Sequence, residues 1–198
     1  MRKVTGGEQA LRGILGIDPG LDGALVLLSP AGEFIERHVM PVIETVKITT
    51  KRKTGKKSRE VKRRLDVPAL NLIFHDLRER VEVVVLEQVA SRPEQGVAST
   101  FKFGFVAGAT EALVIAHNLR LHKVVPVVWS KAMAEGIITA DEIFAGLEPK
   151  DKTKKIVKHL FPSLDLRETM RCKNPHGGIV DALALAEYGR RLLNKGEI

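Results

Sequence analysis

One cysteine, Cys172, in a chain of 198 residues leaves no internal partner for a disulfide, so a cross-linked secreted scaffold is excluded and a reducing compartment is expected. A cytoplasmic or nucleoid-associated location fits that expectation, and a phage protein or a mature organellar protein would share the feature. Long apolar runs are missing as well. No stretch of about 18 uncharged apolar residues occurs, and the first residues carry no apolar secretory core behind their charges. Neither a membrane span nor a signal peptide is therefore expected. Clusters of Pro and Gly are few, and 44% of residues are apolar, which suits a soluble chain with one well-buried core.

What the chain does have is a local block of positive charge. Lys51, Arg52, Lys53, Lys56, Lys57, Arg59, Lys62, Arg63 and Arg64 face a single acid, Glu60, within fourteen positions. With these set aside, Lys and Arg fall from 32 to 23 and Asp and Glu from 24 to 23, so the net charge of +8 resides in the block. Concentrated charge of this kind meets a polyanion, most often nucleic acid, or else forms a solvated loop.

Residues 1–12 are polar and aperiodic and read as a flexible tail. Three β-branched apolar stretches follow near 13–18, 22–29 and 33–40, separated by the turn signals "PGLDG" and "SPAGE", and read as an antiparallel meander. The third leads into a basic loop or hairpin at 47–65. "DVPALNLIFHDLRERV" predicts a helix with Leu70, Ile73, Phe74 and Leu77 on one face, Asp66 as its cap and Pro68 in its first turn. "EVVVLE" reads as a strand buried on both faces. Residues 97–117 predict a helix whose stripe holds Phe101, Phe105, Ala109, Ala112, Leu113 and Ala116. "LHKVVPVV" reads as a strand, with an extra helical turn near 129–135, an irregular stretch at 136–148, and helices at 149–161 and 177–194. The order βββαβαβα belongs to a mixed α/β layer fold. In such sheets, sites form at the carboxyl ends of central parallel strands.

Two acids stand at strand ends of this kind, Asp18 in "ILGIDPG" and Glu87 closing "VEVVVLE", and a third, Asp181, lies early in the helix "HGGIVDALALAEYG". Two unit charges about 4 Å apart repel by about 4 kcal/mol at an effective dielectric near 20. If the fold gathers the trio, a hard divalent ion held through oxygen is the natural partner and phosphoryl chemistry its natural use. Each acid also has a plain structural explanation. Asp18 would make an Asx turn in "DPG", Glu87 would be an exposed strand end, and Asp181 would be a helix-start acid favoured by the macrodipole.

Taken in order, "GIDPG" closing a first strand, "LEQ" closing a fourth and an acid early in the last helix resemble the RuvC family of Holliday-junction resolvases on an RNase H-like fold. Gly23-Ala24-Leu25 after "GIDP" and "LFPSL" before the last helix are similar to the chloroplast and phage-like branch. The resemblance spans about residues 13–190. It implies a mixed five-stranded sheet with helices on both faces, over a nuclease domain at 13–194. It also implies two Mg²⁺ ions per site, with Mn²⁺ as an alternative, held by Asp18, Glu87 and Asp181. His176 joins them as a fourth ligand or general base, or is a loop histidine. Five residues of helix turn about 500°, so His176 shares a site with Asp181 only if it precedes the first turn. Lys131 and Lys152 resemble basic residues that meet the scissile phosphate, and Trp129 reads as a packing residue. In "FKFGF", Phe103 points away from Phe101 and Phe105, either to stack on an unpaired base or to pack in a dimer interface.

The resemblance thus implies a metal-dependent endonuclease that cuts four-way DNA junctions by paired symmetric nicks in recombination or in processing replication intermediates. A symmetric homodimer would match the two-fold symmetry of the junction, and the nine basic residues of the block would grip its arms. No segment identifies a helicase partner. Three alternatives stand beside this one: another nuclease or transposase on the same fold, an actin-like ATP-binding protein, and a catalytically silent DNA-binding module.

Overall fold

Strands β1 (Gly13–Asp18) and β2 (Ala24–Leu28) are apolar or glycine at every position but the last of β1, because helices cover both faces of the sheet they form. The computed structural model describes residues 12–50, 57–88, 96–135, 137 and 148–198. Strands β3 (Phe34–Val39), β6 (Val81–Glu87) and β7 (Leu121–Val124) complete a five-stranded sheet in the order β3-β2-β1-β6-β7. The first three strands are antiparallel, whereas β1–β6 and β6–β7 are parallel. Strands β4 (Val42–Thr50) and β5 (Lys57–Leu65) form a separate antiparallel ribbon between β3 and the first helix.

Alternation along the strands sorts the core into two layers. Leu15, Ile17, Leu25, Leu27, Val84 and Leu86 face α1 (Val67–Leu77) and α2 (Val97–Ala116), meeting Leu70, Phe74 and Leu77 of the former and Val106 and Val114 of the latter. Ile14, Val26, Val83 and Val85 face α5 (Gly177–Lys195), with α3 (Pro126–Ala134) and α4 (Pro149–Leu160) packed beside it. Each fully buried Leu or Phe contributes about 1.5–3 kcal/mol. A mixed five-stranded sheet with helices on both faces is the RNase H-like arrangement the sequence implied. Gly16 lets α5 lie directly on β1, since a Cβ there would come 2.1 Å from the carbonyl oxygen of Ala182.

The cap of α1 forms as expected, with Asp66 Oδ1 accepting from Ala69 N at 3.1 Å. Two expectations need correction. The strand expected through "LHKVVPVV" ends at Val124, because Pro126 occupies the first turn of α3, where its fixed φ favours helix. On α2 the buried side is Val106, Ala107, Thr110 and Val114, not the stripe through Phe101, Phe105 and Ala112. Phe101 is 76% exposed, and Phe105 and Ile115 are more than half exposed. By length and composition alone α2 is apolar enough to cross a bilayer, but it lies along the sheet, with Glu111 paired to Lys123 at 2.8 Å. The tail at 1–11, Lys51, Arg52, Lys53 and Lys56, and most of the 136–148 stretch lie outside the described residues.

Candidate functional site

The parallel pairing of β1 with β6 places Ile17 opposite Leu86, so Asp18 and Glu87, one step further, leave adjacent strands at the same end. They continue the rows Ile14–Gly16 and Val83–Val85, and therefore turn to the α5 side of the sheet. Asp181 lies in the second turn of α5 and meets them there. All three line one cleft of about 720 Å³, together with Phe103, Lys150 and His176.

Burial and mutual repulsion act on these acids in the same direction. Loss of water, then the charges of Asp181 and Glu87, push the Asp18 carboxyl up to about 7, opposed by a hydrogen bond from the Gly20 backbone and by Lys150. Burial and then Glu87 raise Asp181 to about 6, again opposed by Lys150. Glu87 is held by Trp129, whose indole Nε1–H donates to Oε1 at 3.0 Å. Trp129 itself is buried, so its packing role comes with an orienting one.

Among the described residues no group of three His, Cys, Asp or Glu side chains is drawn close enough to enclose one ion. Asp18, Glu87 and Asp181 are thus coupled across the cleft without converging on a point, and His176 lines the same cleft. The donor chemistry still fits a hard divalent cation. Three carboxylates supply only oxygen, and a cation between them would relieve the repulsion that helps to raise Asp18 and Asp181.

His176 meets the geometric condition set by the sequence, because it is the N-cap of α5 and precedes the first turn. Its Nδ1 accepts the Ile179 N–H at 3.4 Å, which leaves Nε2 carrying the proton in the neutral ring. As placed, it serves as a cap and a hydrogen-bond donor, and becoming a ligand through Nε2 would require the proton to move to Nδ1 and the cap to open.

Lys131 is exposed on α3 and does not line the cleft, and neither does Lys152. Lys150 does, one turn before the buried Thr153. "PKDKTKK" offers several lysines that cannot be told apart until the start of α4 sets their phase. Residues 100° apart per step put Lys150 and Lys152 on opposite sides. Phe103 lines the cleft and is half-buried, while its two neighbours of the triplet face outward. Glu168 and Cys172, which carried no sequence signal, stand on the rim. Arg37 fixes that connection from β3 by donating to the carbonyls of Asp165 and, at 2.7 Å, Arg167.

Of the basic block, Arg59, Lys62 and Arg64 are exposed on β5, and Lys57 begins that strand. Arg63 is different. Its Nη1 donates to Asp22 Oδ1 at 2.6 Å and its Nη2 to the Leu21 carbonyl at 3.0 Å, so it is engaged within the chain and not presented to a ligand.

No protein-family model and no curated protein matches the chain. Among solved structures, the chain is similar to Thermus thermophilus RuvC in complex with a Holliday junction substrate, at 16% identity, covering 93% of this chain and 96% of that one, with a TM-score of 0.49. It is also similar to the yeast mitochondrial Holliday junction resolvase, at 11% identity over 94% and 81% of the two chains, with a TM-score of 0.49. A fowlpox virus resolvase bound to Holliday junction DNA matches at 12% identity over 91% and 98%, with a TM-score of 0.40.

Proposed function

We propose that this chain is a metal-dependent, structure-selective endonuclease that resolves four-way DNA junctions by paired symmetric nicks. The observation that carries the nuclease reading is the cleft. Two carboxylates leave neighbouring parallel strands to face a third on α5, and Asp18 and Asp181 are both raised by burial and by the acids beside them. The four-way junction as substrate comes from the ordered motifs around Asp18, Glu87 and Asp181.

Asp18, Glu87 and Asp181 would hold Mg²⁺ or Mn²⁺, two ions per site, with His176 as a fourth candidate. When bound, such ions supply Lewis acidity and an activated water for in-line phosphodiester displacement. The chain's own residues do the rest. Trp129 keeps Glu87 oriented, Lys150 brings a positive charge to the phosphate, and Phe103 offers a ring at the cleft wall for an unpaired base. The ribbon's exposed Arg59, Lys62 and Arg64 meet the backbone of a duplex arm, each engaged phosphate steepening the fall of log K with log salt by about 0.9.

A homodimer is supported by the bare side of α2. Val97, Phe101, Phe105 and Ile115 are exposed there. Gly104 and Gly108, where an added Cβ would meet nothing within 4 Å of this chain, leave room for a second helix to approach closely. Phe101→Asp should therefore convert a dimer to a monomer in sedimentation analysis.

Labelled four-way, three-way and linear duplex DNA, incubated with and without Mg²⁺, test the proposal. Symmetric nicks confined to the four-way substrate and requiring the metal are expected. Equal cutting of linear duplex would favour another nuclease on this fold, and metal-independent cutting would refute the assignment of the acids.

A further inference from the structure

Arg63 lies within the basic ribbon, yet its guanidinium is committed to the body of the protein. Beyond its bonds to Asp22 and the Leu21 carbonyl, its Nε lies 3.6 Å from Oε1 of Glu44, the residue directly opposite it in the β4–β5 register. Its side chain is 35% exposed, whereas Lys62, the next residue, is 63% exposed. Leu21 and Asp22 belong to the loop joining Asp18 to β2, and both line the carboxylate cleft. The far side of that loop rests on the start of α5. A Cβ on Gly178 would come 2.3 Å from the Asp22 carbonyl oxygen and 2.6 Å from Gly23 Cα, so loop and helix are in backbone contact. Asp181 follows Gly178 by about one turn of helix. One side chain thus connects the ribbon, through a five-residue loop, to two of the three acids.

We propose that Arg63 is a positioning residue that fixes the ribbon to the loop after Asp18, so that a phosphodiester backbone gripped by the ribbon arrives in register with the carboxylates. This rests on the endonuclease reading above, and it assigns Arg63 a role separate from that of the exposed Arg59, Lys62 and Arg64. An arginine suits the task because its rigid planar fork holds a carboxylate through one nitrogen and a carbonyl through another, whereas a lysine offers a single rotatable nitrogen. Because Asp22 is 81% exposed, the ion pair contributes little to folding, and Arg63→Ala should fold normally.

The test combines three measurements on the full chain. First, binding of a four-way junction in EDTA is followed against salt. Arg63→Ala should keep the wild-type slope, whereas Arg64→Ala should lower it by about one. A loss of about one unit for Arg63→Ala would make it a phosphate contact and overturn the proposal. Second, hydrogen exchange of residues 19–23 is measured with and without junction DNA. Protection in the wild type that disappears in Arg63→Ala is expected, and protection that persists overturns the proposal. Third, single-turnover cleavage at saturating DNA should fall ten- to a hundred-fold in Arg63→Ala, in keeping with the cost of about 1 Å of misplacement. Arg63→Lys should fall similarly, and the Asp22→Ala/Arg63→Ala double variant should be no slower than Arg63→Ala. An unchanged rate for Arg63→Ala overturns the proposal. A wild type that cuts no junction but shows the loop protection would refute the nuclease reading and leave the tie standing. A wild type that cuts, with Arg63→Ala indistinguishable from it, would do the reverse.

Discussion

Replacing Asp18 by Asn should make the protein more stable while abolishing its activity. The substitution keeps the shape of the side chain and its ability to accept from the Gly20 backbone, and removes only the charge. An aspartate whose folded-state pKa is raised binds more protons folded than unfolded. Its ionisation therefore destabilises the native state, beginning above the unfolded value of 3.8 and reaching its full cost above the folded value of about 7. A displacement of about three pH units corresponds to at most about 4 kcal/mol at pH 8. In EDTA at pH 8, Asp18→Asn should unfold about 2–4 kcal/mol later than wild type. At pH 5 much of that difference should have vanished, since the wild-type carboxyl is then largely protonated. For a chain of this length the pH 8 difference corresponds to roughly 4–16 °C in Tm. Chemical denaturation at both pH values reads it directly. Added Mg²⁺ should narrow the gap by stabilising the wild type more than the variant. Superimposable pH profiles for the two proteins in EDTA would show that Asp18 is neither buried nor coupled to its neighbours, and the argument for the cleft would fail with it.

Gly16→Ala should lower Tm by about 2–12 °C in differential scanning calorimetry, because α5 backbone 2.1 Å from the new Cβ must retreat, at an overpacking cost of about 1–3 kcal/mol. The same retreat carries Asp181 away from Asp18, so cleavage should fall as well. Trp129→Phe removes the hydrogen bond to Glu87 with little loss of packing, and should raise the Mg²⁺ concentration for half-maximal cleavage at least tenfold in a metal titration. Lys150→Ala should slow single-turnover cleavage tenfold or more and move the acidic limb of its pH–rate profile upward, since Lys150 lowers both Asp18 and Asp181. Lys131→Ala should do neither, since Lys131 does not line the cleft.

The three acids were legible because strand ends and helix starts are punctuated locally. "DPG" stops β1, "HGG" opens α5, and a short β-branched apolar run such as "EVVVLE" reads as a strand covered on both faces. That β1 and β6 are parallel neighbours was a condition of that reading, and long-range pairing of this kind has no local signature. What failed was phase. The stripe drawn along α2 satisfies helical spacing, but Phe101 and Phe105 are as apolar as Val106 and Val114, and spacing alone does not say which of two apolar sides meets the sheet. Among the lysines of α4 the choice depended on where the helix begins. At Val125–Val128, β-branched residues argued for strand, and one proline decided for helix. Trp129 was recognised as buried, but its bond to Glu87 spans 42 residues and has no local signature. The inward turn of Arg63 is likewise invisible in a block where nine basic residues look alike.

The ribbon formed by β4 and β5 is a sheet of two strands, its nine facing positions paired across from Val42 opposite Leu65 to Thr50 opposite Lys57. Val46, Ile48 and Val61 lie exposed along it, which makes it the kind of segment that stacks into aggregates. The lysines and arginines interleaved with them keep copies of the protein apart by repulsion. Stripping those charges to alanine would then confuse lost DNA affinity with lost solubility, and exchanging them for glutamates, which repel one another as well as DNA does, would separate the two.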